Sequence, residues 1–231
     1  MFKQKIAVLT GAGMSQESGL QTFRDSDGLW EGHNVYDVAT PDGWYSNKQL
    51  VLDFYNARRR QLVTAEPNEG HMGICELDKK YDTCIITQNV DDLHERAGSK
   101  NVIHLHGELF KVRSTVDEDL VYAWREDLKL GDLCEKGYQL RPHIVWFGEN
   151  VPNLEIAAKE VMKADILLII GTSLQVYPAA SLVHYLAPGK PMYYIDPNPN
   201  ISYEIARSYN LKIINQKASS GVSTLLKTLL D

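Results

Sequence analysis

Cysteine is scarce in this sequence: three residues, at positions 75, 84 and 134, lie far apart. An odd, widely spaced set excludes a disulfide framework or a four-thiolate metal site and favours a reducing compartment. Blocks of positive charge are also missing, and 24 basic against 30 acidic residues leave a formal charge of −6. Because nucleic acid is held through its phosphates by clustered lysine and arginine, this balance argues against nucleic acid as a partner.

Long hydrophobic runs are absent as well. The longest, residues 166–171, is far too short to span a bilayer, and the first ten residues read as a strand, not as a secretory signal. The sequence therefore predicts a cytoplasmic protein without a membrane partner. With 231 residues, 44% of them hydrophobic and 23% charged, the chain has an ordinary globular composition and can bury a core of its own.

Short runs rich in valine and isoleucine alternate along the chain with helical patterns. The predicted strands are residues 6–9, 84–87, 143–147, 166–170, 192–195 and 211–214. The predicted helices are residues 50–63, 69–79, 154–164, 179–186, 203–209 and 222–230. Apolar runs of this length, bounded by glycine, aspartate or proline, are typical of buried parallel strands. The alternation predicts an α/β fold built on a doubly wound parallel sheet.

Two stretches interrupt this alternation, residues 28–64 and 108–142. The first holds too much chain for one crossover, and the second has little hydrophobic patterning. We interpret both as insertions that form a smaller lobe, with a cleft between that lobe and the sheet. The larger part then comprises residues 1–27, 65–107 and 143–231 of a single domain that spans residues 1–231.

The segment GAGMS, residues 11–15, directly follows the first predicted strand. A tight glycine turn at this place lets backbone N–H groups approach a phosphate, although a structural turn is equally compatible with it. The third glycine of a dinucleotide fingerprint is replaced by Gln16, and no acidic residue ends a second strand about twenty residues later. This gap disfavours a hydride-transferring dehydrogenase.

Polar side chains follow two further apolar runs. Gln88, Asn89 and Asp91 come after the strand that ends at residue 87, and their amides and carboxylate suit ribose hydroxyls and a carboxamide. Asn89 or Asp91 alone could equally cap a helix. His106 follows the apolar run 102–105 and stands just before a glycine, where an imidazole that titrates near neutrality suits a general base. His104, two residues earlier, lies on the same face of that strand.

The segment GAGMSQESGLQTFRDSDGLW, residues 11–30, resembles the cofactor signature of the sirtuins, the NAD-dependent protein-lysine deacylases. Four matches follow in the family's order: QNVD at 88–91, HLHGE at 104–108, VWFGE at 145–149 and GTS at 171–173. The resemblance covers about residues 5–230 and is interrupted mainly at 111–140. It implies a Rossmann-like large part with a smaller inserted lobe, NAD as cofactor, and nicotinamide and an O-acyl-ADP-ribose as products.

The resemblance also implies roles for particular residues. His106 matches the catalytic motif and is preferred to His104 as the base, with Asn89 and Asp91 around the nicotinamide and its ribose. The implied NAD-binding residues are Gly11, Ala12, Gly13, Ser15, Thr22, Phe23, Arg24, Trp30, Gln88, Asn89, Asp91, Gly171, Thr172, Ser173, Asn198 and Ala218. The implied peptide-clamping residues are Val145, Phe147, Gly148 and Glu149. Sirtuins usually have asparagine where this chain has Asp196.

Acyl preference is suggested by Tyr55 and Arg58, which lie three residues apart and hence on one face of the helix 50–63. A phenol beside a guanidinium suits a carboxylate, although a core tyrosine and a solvated arginine are the ordinary alternatives. The Y-x-x-R pattern resembles the bacterial desuccinylase and demalonylase subgroup of sirtuins, class III. We therefore predict removal of succinyl and malonyl as well as acetyl groups.

The insert 108–142 departs from the family. Most sirtuins hold a structural zinc there with two cysteine pairs, whereas this chain has Cys134 alone. We predict no metal, and we expect the lobe to be held by packing of Val121, Tyr122, Trp124 and Leu128.

The expected partners are proteins or peptides that carry acylated lysine, and the expected assembly is a monomer. Two other functions stay open from the sequence. One is mono-ADP-ribosyl transfer to a protein, which cleaves the same bond of NAD. The other is a non-catalytic sensor that binds NAD or ADP-ribose.

Overall fold

The structure, a computed structural model, describes residues 3–21, 29–30, 32–200, 202, 205–206 and 210–230. Its strands in chain order are β1 (Lys5–Thr10), β2 (Leu29–Trp30), β3 (His33–Asn34), β4 (Asp82–Thr87), β5 (Val102–His104), β6 (Gly107–Ser114), β7 (Val121–Ala123), β8 (Leu140–Ile144), β9 (Ile166–Ile170), β10 (Pro191–Ile195) and β11 (Asn210–Ile214). Its α-helices are α1 (Val35–Val38), α2 (Pro41–Ser46), α3 (Lys48–Thr64), α4 (Glu69–Glu76), α5 (Leu93–Arg96), α6 (Leu154–Lys163) and α7 (Ala218–Leu229).

A parallel sheet with the order β11-β10-β9-β1-β4-β5 forms the centre of the fold. The residues of β9 are buried throughout, as expected for an apolar strand covered on both faces. This strand order is that of dinucleotide-binding sheets. Successive strands are added outward in one direction from β1 and in the other direction from β9, so the order reverses between these two neighbours. The α/β, Rossmann-like fold predicted from the sequence is therefore confirmed.

Helices cover both faces of this sheet. On one face, α4 and α7 pack on apolar side chains that include Val8, Ile170 and Ile195. On the other face, α6 and a 3-10 helix, Ala179–Tyr185, pack on Leu9, Ile169 and their neighbours. Because both faces are closed, the carboxyl ends of the strands are the part of the sheet left to form a site.

A second hydrophobic cluster joins α3 to an antiparallel sheet with the order β7-β6-β8. Helix α3 begins where the Asn47 side chain accepts a hydrogen bond from the backbone N–H of Leu50. Its buried face carries Leu52, Tyr55 and Leu62 toward that sheet. These elements come from the two segments in which the parallel alternation breaks.

Several predicted elements differ from the observed ones. The predicted strand 143–147 is wrong: β8 ends at Ile144, runs antiparallel to β6 and is followed by a turn. An apolar run by itself does not distinguish a parallel from an antiparallel buried strand. The predicted helix 179–186 is a 3-10 helix, and the predicted helix 203–209 lies largely outside the described residues. None of the described helices is long and apolar enough to span a bilayer.

The expected packing of the insert is correct for three of its four residues. Leu128 is fully buried, and Tyr122 and Trp124 pack against the second hydrophobic cluster. Val121 is exposed, because alternation along β7 turns it to solvent when Tyr122 faces the cluster.

Candidate active site

A cleft of about 560 Å³ runs along the carboxyl ends of the parallel strands and extends to α3. Thr22, Phe23 and Arg24, three of the predicted NAD-binding residues, lie outside the described residues. The other predicted site residues all line this cleft: Gly11, Ala12, Gly13, Ser15, Trp30, Tyr55, Arg58, Gln88, Asn89, Asp91, His106, Val145, Phe147, Gly148, Glu149, Gly171, Thr172, Ser173, Asn198 and Ala218. Residues from distant parts of the chain therefore meet around one cleft.

The floor of the cleft is formed where the loops after β1 and β9 touch. The Gly11 N–H donates to the Ile170 carbonyl (3.1 Å), and the Gly13 N–H donates to the Gly171 carbonyl (2.8 Å). Gly171 has φ +61°, and a Cβ there would lie 2.4 Å from the backbone nitrogen of Met14. Glycine is thus required on steric grounds, and the bare backbone leaves room for a phosphate to approach.

A buried polar network lies behind this floor. The Ser15 hydroxyl donates to Asp91 Oδ2 (2.8 Å) and accepts from Asn89 Nδ2 (3.0 Å). His71 Nδ1 accepts from the Asn68 N–H (3.3 Å), so the proton of the neutral ring sits on Nε2, which faces Ser15 Oγ at 3.4 Å. Burial lowers the pKa of His71 to about 4, so the ring is neutral at physiological pH. The network therefore fixes the amide orientation of Asn89.

Asp91 is buried, and burial raises the pKa of its carboxyl group. Besides the Ser15 contact, Asp91 Oδ1 accepts a hydrogen bond from the backbone N–H of Leu93 (3.2 Å), in the first turn of α5. Asp91 therefore lines the cleft, and its contact with Leu93 is an Asx turn just before α5, whose N-cap residue is Asp92.

The two histidines near β5 have different surroundings. His104 Nδ1 donates to the Asn89 carbonyl (3.2 Å) and Nε2 to Glu95 Oε1 (2.7 Å), so both ring nitrogens are engaged. Burial opposes the charged form, but the Glu95 carboxylate raises the pKa of His104 above its usual value. His106 Nδ1 donates to the Gln88 carbonyl (3.0 Å), which leaves Nε2 as the acceptor of the neutral ring.

His106 has the properties of a general base. Its ring lines the cleft, and its Nε2 makes no hydrogen bond to any residue that the structure describes. Burial lowers the pKa of His106, which keeps the ring neutral and able to accept a proton at physiological pH. His104 does not line the cleft, so the geometry favours His106, as the sequence motif does.

Gln88 joins both sides of the floor. Its carbonyl orients His106, and its side-chain Nε2 donates to Thr172 Oγ1 (3.0 Å) in the loop after β9. The Gln88 side chain, which the sequence predicts to contact a ribose, thus links the loop after β4 to the loop after β9.

The segment 145–149 passes through the cleft as a turn. The Val145 N–H donates to the His106 carbonyl (2.9 Å), and the Phe147 N–H donates to the Ala39 carbonyl (3.0 Å). Gly148 has φ +91°, and the Phe147 side chain is 45% exposed. The segment is therefore anchored through its backbone, with an aromatic side chain at the mouth of the cleft.

Glu149 is bound mainly by the protein itself. Its carboxylate accepts from Arg141 Nη1 (2.6 Å), from Arg113 Nη2 (3.3 Å) and from the Trp146 N–H (2.8 Å). Burial acts to raise the pKa of Glu149, but the contact with Arg141 holds it below the usual range. This carboxylate positions the turn, and its contact with substrate stays a prediction.

The end of the cleft near α3 contains the predicted carboxylate-binding pair. Tyr55 is fully buried, and its hydroxyl accepts a hydrogen bond from Trp146 Nε1 (3.0 Å). The Arg58 guanidinium lies 5.1 Å from the ring of Phe54. Further lining residues are not predicted from the sequence, among them Ala39, Gln61, Leu62, Trp146, Val176 and Tyr177. Trp146 lies within the VWFGE motif, whereas the others carry no sequence signal.

The opposite end is bounded by β10 and α7. Asp196 is buried, and its Oδ1 accepts from the Asn198 N–H (2.9 Å). Ala218 is the first residue of α7, so the helix begins before residue 222, the start that the sequence predicts. Glu17 Oε2 accepts from the Ser219 N–H (3.0 Å) and so caps this helix from across the cleft.

The small lobe contains one of the three cysteines. Cys134 is buried, with Sγ 3.3 Å from Ser114 Oγ. Over the described part of the chain, no group of three histidine, cysteine, aspartate or glutamate side chains has a metal-binding arrangement.

Comparisons with known proteins agree with this geometry. The model of the Sir2 family matches residues 11–178. A relative from Helicobacter pylori (strain ATCC 700392 / 26695), named NAD-dependent protein deacylase, is 53% identical over 228 residues, which cover 99% of this chain and 98% of the relative. A solved Sir2 homolog–NAD complex has a TM-score of 0.84 and 37% identity, over 99% of this chain and 90% of its own. A structure of Sir2 bound to acetylated peptide has a TM-score of 0.79 and 28% identity, over 98% and 93%.

Proposed function

The chain belongs to the Sir2 family and is an NAD-dependent protein deacylase, and within this activity we propose that it removes succinyl and malonyl groups, besides acetyl groups, from lysine. The observation that carries this proposal is the position of Tyr55 and Arg58, which line the same cleft as His106. The substrates are proteins or peptides with an acylated lysine, in keeping with the acetylated peptide bound to a Sir2 structure. A cytoplasmic location and a monomeric state belong to the same proposal.

NAD fits the described residues, because the contact of Gly13 and Gly171 leaves no Cβ on the floor of the cleft. When bound, NAD supplies the ribose carbon that receives the acyl oxygen while nicotinamide leaves. Asn89 and Asp91 would lie around the nicotinamide and its ribose. His106 Nε2 would take a proton from a ribose hydroxyl, and the hydrogen bond from Nδ1 to Gln88 holds the ring in the tautomer needed.

The acidic acyl preference follows from the chemistry of the cleft near α3. The hydroxyl of Tyr55 is buried there, and Arg58 supplies the positive charge on the same helix face. A carboxylate at the end of the acyl chain would receive charge-assisted hydrogen bonds from both. An acetyl group ends in a methyl and would gain nothing from either.

The test compares acetyl-, malonyl- and succinyl-lysine peptides of one sequence, with NAD, in the wild type and in Tyr55→Phe/Arg58→Met. Loss of two hydrogen bonds to a charged group is expected to lower kcat/KM for the succinyl peptide about 30- to 1,000-fold. Turnover of the acetyl peptide should fall much less. Arg60→Met is the matched control, because Arg60 lies on the same helix and pairs with Asp127 at the surface.

Each alternative has its own outcome in this test. A wild type that prefers the acetyl peptide contradicts the acidic preference and leaves the general deacylase activity. A covalent ADP-ribose mass shift on a protein acceptor, without deacylation, supports the transferase. NAD binding without turnover supports the sensor, and His106→Ala, which should lower turnover about 100- to 10,000-fold, would then change nothing.

A further inference from the structure

Trp146 is held rigidly at the end of the cleft near α3. Its side chain is buried, the Arg141 guanidinium lies 3.3 Å from its ring centre, and Trp44 packs on it at 5.8 Å. Glu149 holds Arg141 (2.6 Å) and accepts from the backbone N–H of Trp146 (2.8 Å). The indole therefore has one orientation, set by a stacked cation and a backbone contact.

That orientation aims the indole N–H at Tyr55. Trp146 Nε1 lies 3.0 Å from the Tyr55 hydroxyl oxygen, and an indole N–H can only donate. The phenol oxygen is therefore the acceptor in this contact. The hydroxyl hydrogen must serve another acceptor, and the hydroxyl donates to none of the residues that the structure describes.

The Tyr55 hydroxyl stays protonated at physiological pH. Burial raises its pKa, although the Trp146 contact acts in the opposite direction. When the oxygen of a buried phenol already accepts a hydrogen bond, its O–H is available to donate one. The hydrogen bond that the oxygen accepts also strengthens the one that the O–H donates. Since Tyr55 lines the cleft, an anionic group bound there is the natural acceptor.

We propose that Trp146 is a specificity-determining positioning residue, whose indole N–H makes the Tyr55 hydroxyl a donor for the carboxylate of an acidic acyl group. The inference rests on the proposed acidic acyl preference. Trp146, in the turn 145–149, thereby joins Tyr55 and Arg58 of α3 as a determinant of acyl specificity. This specificity then depends on the packing of the turn against the helix.

The experiment uses succinyl-lysine and butyryl-lysine peptides, whose acyl chains have the same length and differ in the terminal carboxylate. Trp146→Phe keeps an aromatic ring and removes the N–H. The ratio of kcat/KM for succinyl over butyryl should fall about 5- to 30-fold, through KM for the succinyl peptide more than through kcat. Adding Trp146→Phe to Tyr55→Phe should leave that ratio within about twofold, because the phenol on which the indole acts is gone.

Trp44→Phe is the packing control, since Trp44 packs on the same indole, whereas the hydrogen bond to the phenol comes from Trp146. It should alter turnover of both peptides by similar factors. If Trp146→Phe does not fold, the indole N–H resonance of wild-type Trp146 replaces it as the readout. That resonance should shift when the succinyl peptide binds and shift less with the butyryl peptide.

The outcomes separate the two proposals. A wild type that prefers succinyl, with the preference retained in Trp146→Phe, overturns the role of Trp146 alone. Equal resonance shifts with both peptides do the same. A wild type without any preference for succinyl overturns the acidic acyl preference and the role of Trp146 together.

Discussion

The cofactor edge, residues 11–15, 88–91 and 171–173, and the small lobe, α3 with β6, β7 and β8, are held together in different ways. In the cofactor edge, the loops after β1 and β9 touch through their backbones: Gly13 bonds to Gly171 (2.8 Å), and Gly171 to Ile195 (2.9 Å). Side chains such as Ser15 and Gln88 add links between these loops and residues 88–91. In the small lobe, side chains join distant segments, as where Asn56 bonds both to the N–H of Leu128 (2.8 Å) and to its carbonyl (2.9 Å).

The difference explains where sequence motifs occur. Where two backbones touch closely, hardly any residue but glycine fits. The two loops therefore carry the glycine motifs GAG and GTS. A side-chain link is made by residues 72 positions apart and can be built from many residue pairs. The cofactor edge is therefore recognisable from sequence, whereas the support of the acyl end is not.

Replacing Gly171 tests the cofactor edge and should have the largest effect. Gly171→Ala puts a Cβ 2.4 Å from the backbone nitrogen of Met14, at a residue whose φ is +61°. The loops after β1 and β9 must therefore separate. We expect NAD affinity to fall at least about 100-fold, because displacement of the floor by about 1 Å misplaces every group on it. Calorimetric titration with NAD gives the dissociation constant.

Gly131→Ala is the control for Gly171→Ala. Gly131 also has a positive φ, +95°, but lies in the small lobe with open space around its Cβ position. Its substitution should destabilise the protein slightly and change NAD affinity by less than about twofold. Equal losses of NAD affinity in both variants would remove the distinction between the two regions.

Breaking the Asn56 link tests the small lobe. Asn56→Ala leaves the Leu128 backbone and the Arg59 guanidinium, which donates to Asn56 Oδ1 (2.6 Å), without this partner. We expect a loss of about 2 to 4 kcal/mol in the opening free energy of the lobe. Amide hydrogen exchange should rise around residue 128 and stay unchanged in β1 and β9.

Gln49→Ala is matched to Asn56→Ala, because it removes an exposed hydrogen bond to Asp53 on the same helix. Its effect on exchange should be negligible. Faster exchange in β1 and β9 of Asn56→Ala would mean that the two regions open as one unit.

The Glu95 and His104 pair gives the smallest expected effect. The pKa of His104 is raised and that of Glu95 is lowered, against the opposing influence of burial on both. The pair therefore stabilises the fold at pH values between the folded pKa of Glu95 and that of His104. This contribution is lost as pH rises through the folded pKa of His104. Glu95→Gln should lower the free energy of unfolding by about 1 kcal/mol at about pH 6, a value reduced for the partial exposure of Glu95, and by less at about pH 9.

Urea unfolding at both pH values measures this difference. A gap between wild type and Glu95→Gln that is the same at both pH values would contradict a charged His104. Since the His104 ring holds the carbonyl of Asn89 (3.2 Å), the variant also shows whether this link contributes to the cofactor edge.

Much of the fold was predictable because strands β1, β4, β9 and β10 are buried apolar runs that the local sequence reveals. The edge strand β11 is also an apolar run, although its residues are exposed or half-buried. The strand predicted at 143–147 failed, because pairing with β6 depends on the insert and not on the run itself. Similarly, Glu149 belongs to the VWFGE motif, but only the folded chain brings Arg141 and Arg113 to its carboxylate.

The sequence alone determined the parallel α/β sheet, the glycine loops and His106 just after β5, because each depends on local pattern or on a steric demand for one residue type. Tertiary structure decided which histidine keeps a ring nitrogen available, since the partners of His104 and His106 come from other segments. It also decided the contact of Trp146 with Tyr55, which are 91 positions apart. Hydrogen bonds have direction and short range, so only the folded chain can assign their partners.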